Sequence, residues 1–413
     1  MVPIQNQILK WYKALYYMAM INRDLAPVLS RWATAYPVVT LTGPRQSGKT
    51  TLCKTVFPDK PYLSLEPMDV RTYAREDPRG FLAQFPDGAV LDEVQRTPEL
   101  LGYIQDLVDR DPRPGKFILT GSQHFGLSEA VSQSLAGRTA ILHLLPPSLG
   151  ELVRFPHPAH DLATVLQTGA YPRIHDQGIP AARWLADYLA TYIQRDVRSI
   201  LNVGDLDAFT GFLRLCAGST GQELNLNRLG TDAGISQPTA KAWLSVLETS
   251  FLVFKLPAWH ANIRKRLVKA PKLHFYDTGL ACHLLGIQSP SQLQNHPSRG
   301  ALFESWVASE LLKQRHHRGL QPSAHHFREV TGLEVDMMFQ DGPEALLVEA
   351  KSGQTMDGSF LAPILEAQAT LAPGQPSSAW TCALVYGGDQ SQVRQGVRVL
   401  PWSRIEELAP ASA

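Results

Sequence analysis

Between residues 21 and 152, short apolar runs alternate with stretches of helical period. Val38–Leu41, Tyr62–Leu65, Ala89–Asp92, Phe117–Thr120 and Ile141–Leu144 are near-continuously apolar. Strands buried on both faces read this way, and strands alternating with helices predict an α/β fold around a parallel sheet. From Leu152 to about Gly221 the pattern turns helical. Within it, the run from Trp184 to Ile193 places apolar residues at the spacing of one helix face, more in the manner of a core than of a binding stripe. Residues 225–254 predict a helix over 226–229, a turn at Gly234, and a second helix opened by Ser236 with Pro238 in its first turn, a helix-turn-helix. Beyond residue 298 the spacing predicts a helix over 300–315, a strand over 334–339, a turn at Asp341-Gly342 and a strand over 345–351.

Composition narrows this picture. A chain of 413 residues, 44% hydrophobic and 19% charged, has room for two to three folded domains. Lys+Arg of 39 against Asp+Glu of 38 excludes a global polycation, so a nucleic-acid partner has to meet a local basic patch. The densest such run is Ile263–Lys272. The four cysteines, Cys53, Cys216, Cys282 and Cys382, form no C-x-x-C pair, which argues against a zinc ribbon and fits a reducing cytoplasm. The run Ala14–Ile21 is too short to span a membrane, and no membrane partner is expected. Residues 4–21 read as an amphipathic helix packed on the first domain; the alternative is translation from Met18 or Met20. His316-His317 and His325-His326 lack metal-ligand spacing and read as surface imidazoles.

The chemistry begins behind the first strand. Gly43-Pro44-Arg45-Gln46-Ser47-Gly48-Lys49-Thr50 is a G-x-x-x-x-G-K-T loop, and Thr51-Leu52 can open a helix after it. The glycines permit a tight turn whose N–H groups point at phosphate oxygens, and the helix end adds its positive dipole. Lys49 is placed to reach β- and γ-phosphates and the Thr50 hydroxyl to ligate Mg²⁺. The third strand ends in Asp92-Glu93, the Walker B pattern. Asp92 would hold Mg²⁺ through water, and Glu93 would act as general base on the attacking water. Ser122 and Gln123, past the fourth strand, suit a sensor of the γ-phosphate. Arg138 is the first choice for a charge-neutralising arginine, in cis or from a neighbouring subunit, with a surface pair to an acidic helix as the alternative.

Near the C-terminus, Asp336 and Glu349-Ala350-Lys351 lie on two strands of a hairpin. This is the D…E-x-K pattern of restriction-type nucleases. Asp336 and Glu349 would bind Mg²⁺, and Glu349 and Lys351 share a strand face because side chains alternate. Lys351 would position water or stabilise charge on a scissile phosphate, and Glu304 would complete the site from the preceding helix. A salt-bridged structural hairpin would carry the same residues.

Together, the P-loop, Asp92-Glu93-Val94-Gln95, Leu119-Thr120-Gly121-Ser122 and Ser134-Leu135-Ala136-Gly137-Arg138 resemble a prokaryotic AAA-type ATPase family. Members carry a C-terminal domain of unknown function distantly similar to restriction-endonuclease (PD-(D/E)xK) folds. Gly169-Ala170-Tyr171-Pro172, Arg195-Asp196-Val197, Lys272–Leu280 and Gly300–Glu304 continue the match, which runs from about Ile21 to Gly353. The resemblance implies ATP binding. The expected organisation is an N-terminal helical extension (1–20), a P-loop ATPase core (21–152), a helical lid (153–221), a winged helix (222–297), a restriction-endonuclease-like domain (298–408) and a disordered tail (409–413). In the lid, Arg195 and Arg198 could act in trans, though structural pairing with Asp196, Asp205 or Asp207 is an alternative. In the winged helix, Gln237, Thr239 and Lys241 with the basic run 264–272 could contact duplex DNA; the alternative is a protein–protein or interdomain module. Two functional readings follow: an ATPase whose nucleotide state controls DNA binding or Mg²⁺-dependent cleavage, or an ATP-switched interaction protein with an inert C-terminal domain. A homo-oligomer is compatible with either.

Overall fold

The computed structural model describes residues 21–122, 134–193, 205–260, 269–329, 331–371 and 379–409. The N-terminal extension, Gln123, Arg195, Arg198, Arg264, Lys265, Arg266 and the last four residues lie outside the described residues. The chain divides into two compact units, residues 1–147 with 153–155, and residues 148–152 with 156–413.

The N-terminal unit is built on five parallel strands: β1 (Val38–Thr42), β2 (Tyr62–Ser64), β3 (Ala89–Asp92), β4 (Phe117–Thr120) and β5 (Thr139–His143). Their order is β2-β3-β4-β1-β5. Neighbouring residues along a strand enter different cores. Val38, Leu91, Phe117 and Leu119 pack with the helices Pro78–Ala83 and Leu100–Arg110. Val39, Val90 and Ile118 pack with Ala26–Ala33 and Lys49–Val56. Each strand thus needs an apolar residue at every position, the physical reason for the continuous runs in the sequence.

The C-terminal unit has two sheets. The smaller has the order β6-β8-β7, from β6 (Gln222–Glu223), β7 (Val253–Leu256) and β8 (Lys272–Phe275), all antiparallel. β6 lies between helices Leu206–Gly218 and Leu226–Asp232, and β7 and β8 follow helix Gln237–Thr249. The last two of these helices start where side chains cap them, Asn225 on Arg228 N and Ser236 on Thr239 N. The larger sheet runs β13-β14-β12-β11-β10-β9. Its strands are β9 (Ala324–Arg328), β10 (Glu334–Asp341), β11 (Glu344–Lys351), β12 (Trp380–Tyr386), β13 (Gln392–Arg394) and β14 (Val397–Pro401). β9, β10 and β11 are antiparallel, and helix Ala362–Leu371 lies between β11 and the parallel strand β12. Met337, Val348 and Val385 of this sheet share one core with Leu166, Phe212, Leu244, Phe275 and Leu302. The segments expected as lid, winged helix and C-terminal domain therefore bury apolar surface together.

Two of the family-resembling motifs clasp each other in that core. Gly169 takes φ 72°, and a side chain there would meet Asp277 at 2.3 Å. Asp277 accepts hydrogen bonds from Ala170 N at 2.7 Å and Leu280 N at 2.9 Å, capping helix Thr278–Leu284. A Cβ on Gly279 would lie 2.5 Å from the Thr168 carbonyl. Tyr171 packs against Trp184 and Tyr188. These motifs serve a joint in the scaffold.

The histidine pairs are a correction. His316 and His326 are buried, because helix Arg299–His317 runs through the core to its last turn and β9 turns alternate residues inward.

Candidate functional site

β1 ends at Thr42, and the chain turns through Gly43 (φ 147°) so tightly that a Cβ there would sit 2.2 Å from the Leu144 carbonyl. Gln46 (φ 64°) and Gly48 (φ 96°) complete the left-handed loop, and Gly48 caps helix Lys49–Val56. The Lys49 ammonium is buried and donates to Gly43 O at 2.9 Å and Pro44 O at 2.7 Å, folded back over its own loop. Desolvation lowers its pKa to about 8 against the opposing pull of Glu93 and Asp92, so an anion arriving here gains a cation with little other solvation. The Ser47 hydroxyl is buried without a hydrogen-bond partner among the described residues. Arg45 is half-buried, whereas Gln46 and Thr51 are exposed.

Asp92, at the end of β3, accepts from Thr50 Oγ1 at 2.8 Å. Tyr62 OH donates to the same oxygen at 2.6 Å, and the Thr120 hydroxyl donates to the other. Glu93 follows with φ 59°, an unusual conformation for a non-glycine residue. The Gln95 amide donates to Glu93 and, at 3.0 Å, to Ser122 Oγ. Residues 43–51, Asp92, Glu93 and Ser122 thus gather at the carboxyl ends of β1, β3 and β4, where parallel sheets bind ligands. Thr50 and Asp92 present hard oxygen donors in contact, a set that fits Mg²⁺.

Arg138 is not among them. Its carbonyl accepts from Val38 N at the start of β1, so it sits roughly 16 Å of strand away from the P-loop. Its guanidinium pairs with Asp109. A role in cis is thereby corrected: Arg138 enters β5 from the wrong end of the sheet.

Two contributors escaped the sequence reading. Arg23 is buried and donates to Ser47 O at 2.7 Å and Leu145 O at 2.8 Å, holding the loop from behind. Tyr62 reaches Asp92 from β2. Neither carries a sequence signal, since both act through spatial neighbours far along the chain.

A second cluster forms within the C-terminal unit. Glu304 rises from helix Arg299–His317, Asp336 from a bulged stretch of β10, and Glu349 and Lys351 from one face of β11. Asp336 accepts from Ala350 N at 2.9 Å, and Lys351 pairs with Glu349. All four expected residues meet. The cluster also takes in Glu334 and Lys272. Lys272 Nζ lies 2.8 Å from Glu304, 2.6 Å from Glu334 and 3.6 Å from Asp336, with its side chain only 3% exposed. Lys272 therefore leaves the basic run as a phosphate contact, because β8 is buried at every position and its alternation turns Lys272 with His274 toward Glu304 and Ser305 of helix Arg299–His317. That period-two pairing of Lys272 with His274 was the available signal. Lys269, also of the run, donates to Arg328 O.

Burial, then Asp336, pushes Glu304 up to about 8 although Lys272 opposes it. The same two causes push Glu349 up to about 7 against Lys351. Burial pulls Lys272 down, but Glu304, Asp336 and Glu334 outweigh it and its pKa rises. Glu349 Oε2 is buried with no hydrogen-bond partner among the described residues. A buried carboxylate cluster with such an orphaned acceptor fits a hard divalent cation.

Comparison with known proteins bears on the segments separately. Residues 35–153 match the family model described as AAA domain. Residues 159–291 match Domain of unknown function (DUF8612), and residues 299–405 match Domain of unknown function (DUF4143). Uncharacterized proteins of Mycobacterium bovis and Mycobacterium tuberculosis are each 32% identical over 298 residues, 71% of this chain. The chain spans 66% of the length of these curated relatives. Among solved structures, the Walker-type ATPase of Pyrococcus abyssi is similar at 15% identity and TM-score 0.43, over 64% of this chain and 96% of that one. Among the described residues, no helix is long and apolar enough to cross a membrane.

Proposed function

We propose that this chain, whose residues 35–153 form an AAA-type P-loop ATPase domain, hydrolyses ATP with Mg²⁺ and uses the nucleotide state to govern a DNA-cutting centre in its C-terminal unit. The observation that carries the ATPase part is the convergence of Lys49, Thr50, Asp92 and Glu93 at one end of the sheet. Lys49 would exchange the carbonyls of Gly43 and Pro44 for β- and γ-phosphate oxygens. The loop amides would hold the remaining phosphate oxygens. Thr50 Oγ1 and, through water, Asp92 would hold Mg²⁺, which when bound neutralises phosphate charge. Glu93, oriented by Gln95, would take the proton of the attacking water, and Ser122 would sense the γ-phosphate through the same glutamine. A homo-oligomer would let Arg138 serve a neighbouring subunit's nucleotide.

The meeting of Glu304, Asp336, Glu349 and Lys351 supports a restriction-type cleavage centre. Glu349 and Asp336 would hold the cation, and Lys351 would position the water against the scissile phosphate. A winged helix is supported by two capped helices set between β6 and the β7–β8 pair of the small antiparallel sheet, with Gln237 and Lys241 exposed. Plasmid DNA with Mg²⁺ or Mn²⁺, with and without ATP, tests the reading. Wild type should nick it, Lys351→Ala should not, and Glu93→Gln should change the ATP response.

One observation favours the alternative, an ATP-switched interaction protein. Lys272 already supplies a cation to three of the acids, as it would in a structural salt-bridge network. Intact plasmid under every condition, alongside ATP hydrolysis, would select that alternative. So would the lack of a salt-dependent mobility shift with duplex DNA.

A further inference from the structure

We infer that Lys272 occupies the place of a second divalent cation in the C-terminal cluster, leaving a single-cation site at Asp336 and Glu349. The inference rests on the cation-dependent reading of that cluster and deepens it.

Four carboxylates, Glu304, Glu334, Asp336 and Glu349, converge with two lysines. The lysines divide the cluster between them. Lys272 contacts Glu304, Glu334 and Asp336, whereas Lys351 contacts Glu349. Sites that cut phosphodiesters with two metals place the ions roughly 3.5–4 Å apart among shared carboxylates. Here one half of such an arrangement is filled by an ammonium. The other half keeps an orphan, the buried Glu349 Oε2.

Lys272 is not a roaming surface side chain. β8 is the middle strand of its sheet, and Lys272 is in register with Glu223 on one side and Leu256 on the other. Gly221, at φ 71°, carries the chain past the helix that bears Glu304: a Cβ there would lie 3.2 Å from Ala301 Cβ. The backbone therefore delivers a fixed positive charge to one place, as a resident ion would. An ammonium has no vacant coordination position, so it can hold carboxylates and balance charge but cannot activate water. Water activation is left to the half holding Glu349 and Lys351.

Ion counting tests this independently of cleavage. Mn²⁺ binding to the full-length protein without nucleotide is followed by electron paramagnetic resonance of the free ion, with Asp336→Asn as the reference. Wild type should bind about one Mn²⁺ that Asp336→Asn loses, and Lys272→Gln should bind about two. Lys272→Arg, which keeps the charge, should stay at the wild-type number. Should Lys272→Gln not fold, Lys272→Met, neutral and close to lysine in shape, keeps all four carboxylates and is expected to show the same gain. An unchanged count on removing the charge overturns the inference, as does a wild type that binds no Mn²⁺ beyond Asp336→Asn. A plasmid left intact while the counts behave as stated overturns only the nuclease reading.

Discussion

Glu93 and Arg23 bear on the nucleotide site in different ways. The first is a candidate catalytic group held by Gln95 in a left-handed backbone. Glu93→Gln removes the base but not the phosphate cradle, so ATP hydrolysis should fall ~10²–10⁴-fold with affinity retained. Steady-state phosphate release beside fluorescent-nucleotide titration separates the two; loss of affinity instead would mean that Glu93 belongs to the cradle. Arg23 acts on the loop through backbone carbonyls. Its guanidinium ties Ser47 to Leu145, and charge-assisted hydrogen bonds of this kind contribute about 1.5–3 kcal/mol. Arg23→Ala should lower urea stability by an amount in that range and loosen ATP binding. A variant as stable and as tight as wild type would remove Arg23 from the site.

At the scale of elements, the clasp between residues 168–171 and 277–280 is the sharpest case. Asp277 satisfies two buried N–H groups of different segments, and leaving buried donors unsatisfied costs about 1–3 kcal/mol each. Asp277→Ala should therefore reduce unfolding free energy by about 2–6 kcal/mol, measured by urea titration. Gly169→Ala should be comparably harmful, because it combines a left-handed backbone with a collision against Asp277. The same motifs were legible in the sequence only as a resemblance; that they meet across about a hundred residues was not. The strands of the N-terminal unit were legible within one or two residues, since burial on both faces writes itself as an unbroken apolar run. Arg138 shows the opposite. Its place in the chain suggested the phosphate end of the sheet, and strand direction put it at the other.

For the whole molecule, ligand and pH are the two levers. Mg·ATP at ~100 times its Kd should stabilise the wild type by about 2.7 kcal/mol in a melting experiment, and Lys49→Ala should show no such shift. Stability should also fall in acid through buried histidines. Burial, with Lys272 nearby, lowers His274 from 6.5 to about 3. Burial likewise lowers His326 to about 4. The unfolded chain binds these protons below pH 6.5 while the native state refuses them. The histidines' contribution is thus complete above that pH and declines as pH falls, towards 3 for His274 and towards 4 for His326, by up to about 1.4 kcal/mol per unit for each group. Denaturant titrations at stepped pH should show a shallower acid limb in His274→Phe; an unchanged limb would place the loss elsewhere.

The local pieces follow from residue order alone: the P-loop, the acidic strand end, the capped helices and the acidic hairpin. Each is encoded by neighbouring residues whose spacing a helix, strand or turn converts directly into a shared face. Which groups from distant segments complete those pieces emerges only when the chain is folded. Arg23 behind the loop, Tyr62 on Asp92 and Lys272 among the acids are brought there by strand order and shared cores, which no local period records. Sheet polarity excluded Arg138 from the phosphate end for the same reason: a strand's direction is a property of its partners, not of its residues.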